Sequence, residues 1–380
     1  MTTPAPLGVY VHWPYCARIC PYCDFNVVRE RGRTEEKAAL GRAILADLSA
    51  WRERTGPRPL VSVFFGGGTP SLMDPELAGE IVAAARRLWT SEAELEVTLE
   101  ANPTDAETDR FAAFAAAGVN RLSLGLQALD DAALKLLGRN HDAVAGRRAA
   151  ERAAALFPRV SLDLIYARPG QTPAAWAAEL GEALKLGPEH LSPYQLTIEA
   201  GTAFDRAVGR GALVPPDEDT AAALYETTQD VLGAAGFEAY EVSNHARGVA
   251  ARSRHNLIYW RGNDYVGAGP GAHGRLTEAS GRTAFETPRA IAAYTARVAE
   301  AGFGAEAEAL TPREAALERL LMGLRTVEGV ALTDLEPLGL EAAGIADLVG
   351  LGLVAASPER LTVTAAGRPL LDRITSTLAG

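Results

Sequence analysis

All three cysteines of this chain lie in one short segment, at Cys16, Cys20 and Cys23, with the spacing C-x3-C-x2-C. An odd number of cysteines argues against a disulfide framework, and thiolates are preferred ligands of iron–sulfur clusters and zinc. A structural zinc site needs four ligands, so zinc would also have to recruit His12 or Asp24. A [4Fe–4S] cluster held by three cysteines instead leaves one iron open to an external ligand. S-adenosylmethionine (SAM) offers an amine and a carboxylate for that iron, so the spacing favours a cluster that binds SAM.

The cysteines follow the first of six strand-like segments in the first 200 residues. Apolar and β-branched runs predict strands at Val9–His12, Leu60–Phe65, Leu95–Glu100, Arg121–Leu126, Val160–Tyr166 and His190–Leu196. Helical spacing predicts helices at Glu35–Arg54, Pro75–Leu88, Asp105–Ala116 and Pro173–Leu186. This alternation indicates an α/β fold of parallel βαβ units, and both a barrel and an open doubly wound sheet fit it.

Polar and glycine residues recur where the predicted strands end, which is where function gathers in parallel βα folds. The Gly66–Gly68 loop would let a ligand approach the backbone closely, although a tight turn explains the same glycines. We expect Glu100 to accept hydrogen bonds from ribose hydroxyls. Gln127, Arg139 and Asp163 are candidates to pair with the polar ends of a nucleoside and an amino acid.

The rest of the chain has a different character. Residues 201–305 are irregular, with a predicted helix at Thr220–Ala235, a strand at Glu238–Val242 and a glycine-rich turn at Gly267–Gly274. Residues 306–380 predict helices at Pro312–Gly323, Leu332–Leu338 and Glu341–Leu351 and a hairpin at Leu353–Val363, an order similar to a winged-helix module. We therefore predict three domains: a core over residues 1–200, an α+β extension over 201–305 and a small C-terminal domain over 306–380.

Composition and charge exclude several classes of protein. The chain is 48% hydrophobic and 22% charged, which is ordinary for a globular protein. Apolar runs fall short of the roughly 18–20 residues that a membrane span needs, and the first residues lack the pattern of a secretory signal. The formal charge of −11 argues against bulk nucleic-acid binding. We expect a cytoplasmic protein that has no membrane span and does not bind nucleic acid.

Several phrases resemble the family of oxygen-independent coproporphyrinogen III oxidases and their close relatives, the radical-SAM haem chaperones. They span the first 200 residues and read YVHWPYC from Tyr10, FGGGTPS from Phe65, LEANP from Leu99, RLSLGLQ from Arg121, LGRNHD from Leu137 and DLIYARPGQT from Asp163. The resemblance implies a partial (β/α)6 radical-SAM barrel. It also implies that SAM contacts Tyr10, Tyr22, Gly67, Gly68, Thr69, Glu100, Gln127, Arg139 and Asp163.

Three features favour the chaperone over the oxidase within that resemblance. The oxidase pattern calls for a fourth cysteine where this chain has Phe25, and for an N-terminal extension where only eight residues precede the first strand. Residues 255–260 read His-Asn-Leu-Ile-Tyr-Trp, which matches the H-N-x-x-Y-W phrase of the haem chaperones. The resemblance thus implies haem binding, with His255 and Tyr259 as the residues to contact it.

The residues alone leave the haem site open. Histidine is a common axial ligand of haem iron, and His255 and Tyr259 would lie one turn apart on a helix. A buried, hydrogen-bonded histidine with Tyr259 and Trp260 in the core explains the same motif. His245 and His273 are further candidates.

Two functions remain after these steps. The leading hypothesis is a chaperone that binds haem and a [4Fe–4S] cluster with exchangeable SAM, and delivers haem to an apo-haemoprotein without substrate turnover as its main task. The rival is a radical-SAM enzyme that needs a reductant, cleaves SAM and oxidises coproporphyrinogen III or abstracts another hydrogen. A zinc protein with a DNA-reading winged helix fits neither the charge nor the βα repeats.

Overall fold

Each of the six predicted strands is present in the structure, a computed structural model that describes residues 5–379 apart from the side chains at positions 92, 93, 105 and 106. The strands are β1 Leu7–Trp13, β2 Pro59–Gly67, β3 Thr90–Ala101, β4 Arg121–Gln127, β5 Arg159–Tyr166 and β6 His190–Gln195. They pair in parallel in this order, so all six carboxyl ends lie at one edge.

Helices connect the strands; the four predicted ones are present with one difference, and the two between β4 and β5 were not predicted. They span Thr34–Thr55, Pro75–Leu88, Asp105–Thr108, Phe111–Ala116, Asp131–Leu136, Ala143–Leu156 and Pro173–Lys185. The helix predicted at Asp105–Ala116 is therefore two short helices. Between them the amide of Arg110 donates to the carbonyl of Glu107, a three-residue bond that tightens the turn.

The main sheet continues beyond the six strands. Asp264–Ala268 pairs in parallel with β1, so this strand lies where only a glycine-rich turn was predicted. Antiparallel strands extend the sheet to twelve; they are His273–Glu278, Gly281–Glu286 and Glu306–Ala309 at one side and Asn244–Ala246 and Glu238–Glu241 at the other. Residues on both sides of position 200 thus share one sheet, and the predicted domain division stays a prediction.

Side chains of the parallel strands alternate between two environments. Val9, Val63, Leu99 and Leu162 belong to the main apolar core beneath the helices. The intervening residues form a polar inner face, where Ser161 Oγ lies 2.7 Å from His190 Nδ1. Because the side-chain period of a strand is two, every strand supplies both layers.

A short helix, Arg254–Trp260, lies against this polar inner face. Ser253 caps it by accepting a hydrogen bond from the amide of Asn256. The buried carboxylate of Glu96 on β3 accepts from the amides of Arg254 and His255 over 3.1 and 3.0 Å. The H-N-x-x-Y-W motif is therefore fixed inside the core domain by a carboxylate at its N-terminus, where the helix dipole favours negative charge.

The C-terminal region has its own apolar core, which includes Leu320, Val330, Leu361 and Ile374. Its elements are the helices Pro312–Gly323, Leu332–Leu338, Ala342–Gly350, Arg368–Leu370 and Leu371–Ala379, and the strands Val330–Ala331, Val354–Ala356 and Arg360–Val363. The predicted helices and hairpin are thus present. Helices Ala203–Gly209, Glu218–Ala234, Val249–Ala251 and Ile291–Ala301 complete the middle region. Within residues 5–379, none of the helices combines the length and apolarity that crossing a membrane requires.

Candidate functional site

The cysteine segment leaves β1 and folds back over the strand ends. Two-residue strands at Tyr15–Cys16 and Val28–Arg29 pair in parallel and close the segment into a loop. The amides of Gly68 and Thr69 donate to the carbonyls of Trp13 and Tyr15, each over 2.8 Å, which fixes the loop to the end of β2. Burial raises the pKa of the Cys16 thiol to about 11, so binding a metal there must displace a proton.

All three cysteines line one cavity of about 580 Å³, here called the cysteine cavity. Eight of the nine predicted SAM residues line it too; they are Tyr22, Gly67, Gly68, Thr69, Glu100, Gln127, Arg139 and Asp163. The ninth, Tyr10, is not on its wall but lines a neighbouring, larger cavity. The structure therefore brings together residues from five strands, β1 to β5, and the segments that follow them.

A hydrogen-bond network around Arg139 joins four of these strand ends. The guanidinium donates to Sγ of Cys20 over 3.3 Å and to the carbonyl of Gly125 on β4 over 3.1 Å. It also donates to Oδ1 of Asn102, whose amide nitrogen donates to Oγ1 of Thr69 over 3.1 Å. The cysteine loop is thus held in register with β2, β3 and β4 by charge-assisted bonds.

Two carboxyl groups lie deep in the cysteine cavity. Burial, followed by the nearby charge of Asp163, raises the pKa of Glu100 to about 8. Burial also raises the pKa of Asp163, although hydrogen bonds from Ser123 and Ser192 oppose that rise. Because two buried carboxylates repel each other, the site favours a ligand that brings hydroxyl donors or a positive charge.

The glycines after β2 are needed for packing within the protein. A Cβ at Gly67, which has a φ of +105°, would meet the ring of His12 at 2.5 Å. A Cβ at Gly68 would meet the Pro14 carbonyl at 2.7 Å. The tight-turn explanation therefore accounts for these glycines, and close approach of a ligand is not required to explain them. Gln127 is a non-glycine residue with a φ of +65°, a strained conformation of the kind that clusters at functional sites.

His12 does not fit the zinc alternative. Its Nδ1 lies 3.1 Å from the Tyr10 hydroxyl and its Nε2 lies 2.9 Å from the carbonyl of Asn26. Both ring nitrogens are occupied by the fold, so a tetrahedral zinc site would first have to break one of these contacts.

A second, larger cavity of about 1040 Å³ adjoins the first and is here called the arginine cavity. It lies between the core, the antiparallel strands and helix Pro312–Gly323. Five arginines line it; they are Arg261, Arg275, Arg282, Arg289 and Arg319. Asp24, Phe25, Gly67 and Glu100 line both cavities, so the two spaces share one wall. Phe25 stands in that wall where the oxidase pattern calls for cysteine, and 65% of it is exposed.

The structure places His255 and Tyr259 on one face of a helix, as predicted. Both ring nitrogens of His255, however, already have hydrogen-bond partners within the protein. His255 is buried, its Nδ1 lies 2.8 Å from Ser62 Oγ and its Nε2 lies 2.6 Å from the Tyr259 hydroxyl. Its ring stacks on Phe64 with 4.7 Å between centroids. Burial lowers the pKa of His255 to about 3, so the ring is neutral. Iron could bind this ring only after one of its hydrogen bonds breaks. The surroundings of His255 are those of the alternative explanation, a buried and hydrogen-bonded core histidine.

Three residues of the site were not among the site residues predicted from the sequence. Asn102 links Arg139 to Thr69 and ends the same strand as Glu100, so its place after a strand is the one available hint. Arg121 is buried on the wall of the cysteine cavity although it begins its strand. Asn256 of the H-N-x-x-Y-W motif lines the cysteine cavity, while Tyr259 and Trp260 line the arginine cavity.

Comparison with protein families gives two matches. The Radical SAM superfamily matches residues 10–180, and the HemN C-terminal domain matches residues 310–370. The first match covers the cysteine loop and five of the six core strands. The second covers most of the C-terminal region with its separate core.

Similar proteins span nearly the whole chain. The protein named "Heme chaperone HemW" of Mycobacterium tuberculosis is 36% identical over 386 residues, which cover 99% of this chain and 95% of that protein. "Radical S-adenosyl methionine domain-containing protein 1, mitochondrial" of Bos taurus is 44% identical over 341 residues, which cover 88% and 73%. Coproporphyrinogen III oxidase (HemN) from Escherichia coli has a similar solved structure, with a TM-score of 0.81, 21% identity and coverage of 99% and 90%. At that identity the likeness supports the radical-SAM barrel fold alone.

Proposed function

This chain belongs to the radical SAM superfamily, in the group that contains the HemW haem chaperones, and we propose that it is itself a haem chaperone. In this proposal it binds haem and passes it to an apo-haemoprotein, and net turnover of a substrate is not its main task. The observation that carries the proposal is the pair of adjoining cavities. One is lined by the cysteines, and the other is large enough for a macrocycle.

The cysteine cavity fits a [4Fe–4S] cluster with SAM. Cys16, Cys20 and Cys23 would hold three irons, and Arg139 would hydrogen-bond the sulfur of Cys20. The neighbouring polar groups would bind SAM, with Glu100 and Asp163 facing its hydroxyls and its positive charge. When bound, the cluster would supply an open iron for the amine and carboxylate of SAM to chelate, and it would accept an electron from a reductant.

Phe25 favours the chaperone over the oxidase. An aromatic side chain at this position cannot ligate metal, and here it faces both cavities. The relatives that are named as haem chaperones are 36–39% identical to this chain, whereas the oxidase structure is 21% identical. We also propose a reducing compartment, the cytoplasm, because the proposed cluster needs all three cysteines as reduced thiolates.

Parallel assays on one preparation test this function. The full chain would be reconstituted anaerobically with iron and sulfide, then assayed for haem binding and for coproporphyrinogen III consumption in the presence of SAM and a reductant. We expect about one haem per chain and no loss of the porphyrinogen. Decarboxylation of the porphyrinogen without haem binding would establish the enzyme instead.

A further inference from the structure

The six histidines differ in whether their ring nitrogens are free to bind haem iron. The chain has six histidines, and all lie within the described residues. His12 and His255 have both ring nitrogens occupied, as does His190, which contacts Ser161 Oγ and the Tyr240 hydroxyl. His141 contacts the carbonyl of Leu126 through Nε2, and its Nδ1 is buried without a partner. His245 is also buried, and neither of these last two lines the arginine cavity.

His273 differs from the other five histidines. It begins strand His273–Glu278, lines the arginine cavity and keeps 54% of its side chain exposed. The carboxylate of Glu286 lies beside it, with 4.0 Å between Nε2 and Oε1. The ring thus faces a large cavity with accessible nitrogens and a carboxylate beside it that would orient the imidazole.

The positive charge of the arginines in this cavity complements the two carboxylates at one edge of a haem molecule. Arg261, Arg275, Arg282 and Arg319 already pair with Glu328, Glu318, Asp264 and Asp334 respectively. The guanidinium of Arg289 makes no hydrogen bond or ion pair with any residue that the structure describes. It is exposed on the cavity wall, so it is available to bind a carboxylate.

Apolar surface completes the fit. Phe25, Trp260 and Met322 line the cavity, and Phe25 separates it from the cysteine cavity. We propose that haem binds in the arginine cavity with His273 as its iron ligand and Arg289 paired to a haem carboxylate. In this arrangement His255 and Tyr259 support the cavity wall and do not ligate iron. The inference rests on the proposed haem binding and assigns its site.

The test is a titration of full-length, cluster-loaded protein with ferric haem under anaerobic conditions. His273→Ala should shift the Soret band and weaken binding on the order of tenfold or more, which corresponds to about 1.4 kcal/mol. Added imidazole should restore the wild-type spectrum, because it replaces the missing ligand. His255→Gln should leave the Soret position unchanged. Cluster absorbance and SAM binding in each variant report whether it has folded.

Arg289→Gln tests whether the cavity binds a haem carboxylate, independently of the bond between His273 and iron. It should weaken haem binding several-fold without a spectral shift, while Arg210→Gln, an exposed arginine outside both cavities, should have no effect. An unshifted Soret band in His273→Ala would overturn the ligand assignment and leave the chaperone function standing. Equal affinity in Arg289→Gln and wild type would overturn the pairing of Arg289 with a haem carboxylate. Absence of haem binding by the wild type would refute the proposed function itself.

Discussion

Arg139 donates a hydrogen bond from its guanidinium to Sγ of Cys20 across 3.3 Å, and so places a positive charge against one of the three cysteine sulfurs. The same guanidinium reaches Asn102 and the carbonyl of Gly125, which fixes its position. Hydrogen bonds to ligand sulfurs are among the factors that set the reduction potential of iron–sulfur clusters.

Replacing Arg139 should make the cluster harder to reduce. Arg139→Gln removes a charge that favours the more negative, reduced state, and we expect the midpoint potential to fall on the order of 50 mV. A redox titration followed by electron paramagnetic resonance measures it. Arg18→Gln, an exposed charge in the same loop, is the matched control. Equal shifts in both variants would mean that general charge and not the hydrogen bond is responsible.

Each cysteine should be required for the cluster. Cys16→Ala, Cys20→Ala and Cys23→Ala remove one of three iron ligands, so each should lose most of the iron bound after anaerobic reconstitution. Iron analysis and visible absorbance measure this loss. Asp24→Asn is the control, because Asp24 borders both cavities without a thiol. Full iron content in all three cysteine variants would refute the cluster.

SAM affinity should rise with pH because of Glu100. Its pKa of about 8 means that the carboxyl is largely protonated at pH 7, whereas the ionised form is the better partner for hydroxyl donors and a sulfonium. Affinity should therefore increase by up to about tenfold per pH unit below pH 8 and level off above it. Calorimetric titration across pH 6–9 measures the profile.

Two variants separate the contributions to that profile. Glu100→Gln should bind SAM weakly and with little pH dependence. Asp163→Asn removes a neighbouring negative charge, so it should lower the pKa of Glu100 and move the rise in affinity to lower pH. A wild-type profile in Glu100→Gln would assign the pH dependence to another group.

Glu96 should be a strong determinant of stability. Its buried carboxylate accepts from the amides of Arg254 and His255, and from the guanidinium of Arg159 over 2.6 Å. Glu96→Ala leaves the two amides unpaired and removes one of the acceptors of Arg159, which keeps Glu189, and we expect a loss on the order of 3 kcal/mol in the free energy of unfolding. Urea denaturation measures it.

Glu94 provides a control on the same strand. It is largely exposed and pairs with Arg254 over 3.3 Å, so Glu94→Ala should cost less than about 1 kcal/mol. Comparable losses in the two variants would show that burial does not increase the contribution of the Glu96 contacts to the free energy of unfolding.

Local patterns predicted much of this fold. The six core strands follow from apolar runs, and the clustering of the predicted SAM residues follows from the rule that parallel strands end together. The strand Asp264–Ala268 could not be predicted in the same way, because its pairing with β1 depends on residues far away in the chain. The same limit applies to His255. The sequence places it one turn from Tyr259, but only the folded sheet brings Ser62 within 2.8 Å of its ring.

The pairing of β1 on both sides has a consequence for synthesis. Its partner β2 follows soon after it, but Asp264–Ala268 emerges about 250 residues later, which at 5–20 residues per second is roughly 12–50 s. During that interval the edge of β1 that later pairs with Asp264–Ala268 has unpaired backbone N–H and C=O groups. Such an edge can pair with strands of other nascent chains. Aggregation on the ribosome is therefore a hazard until the middle of the chain is made. A fragment that ends before residue 264 would keep that open edge permanently.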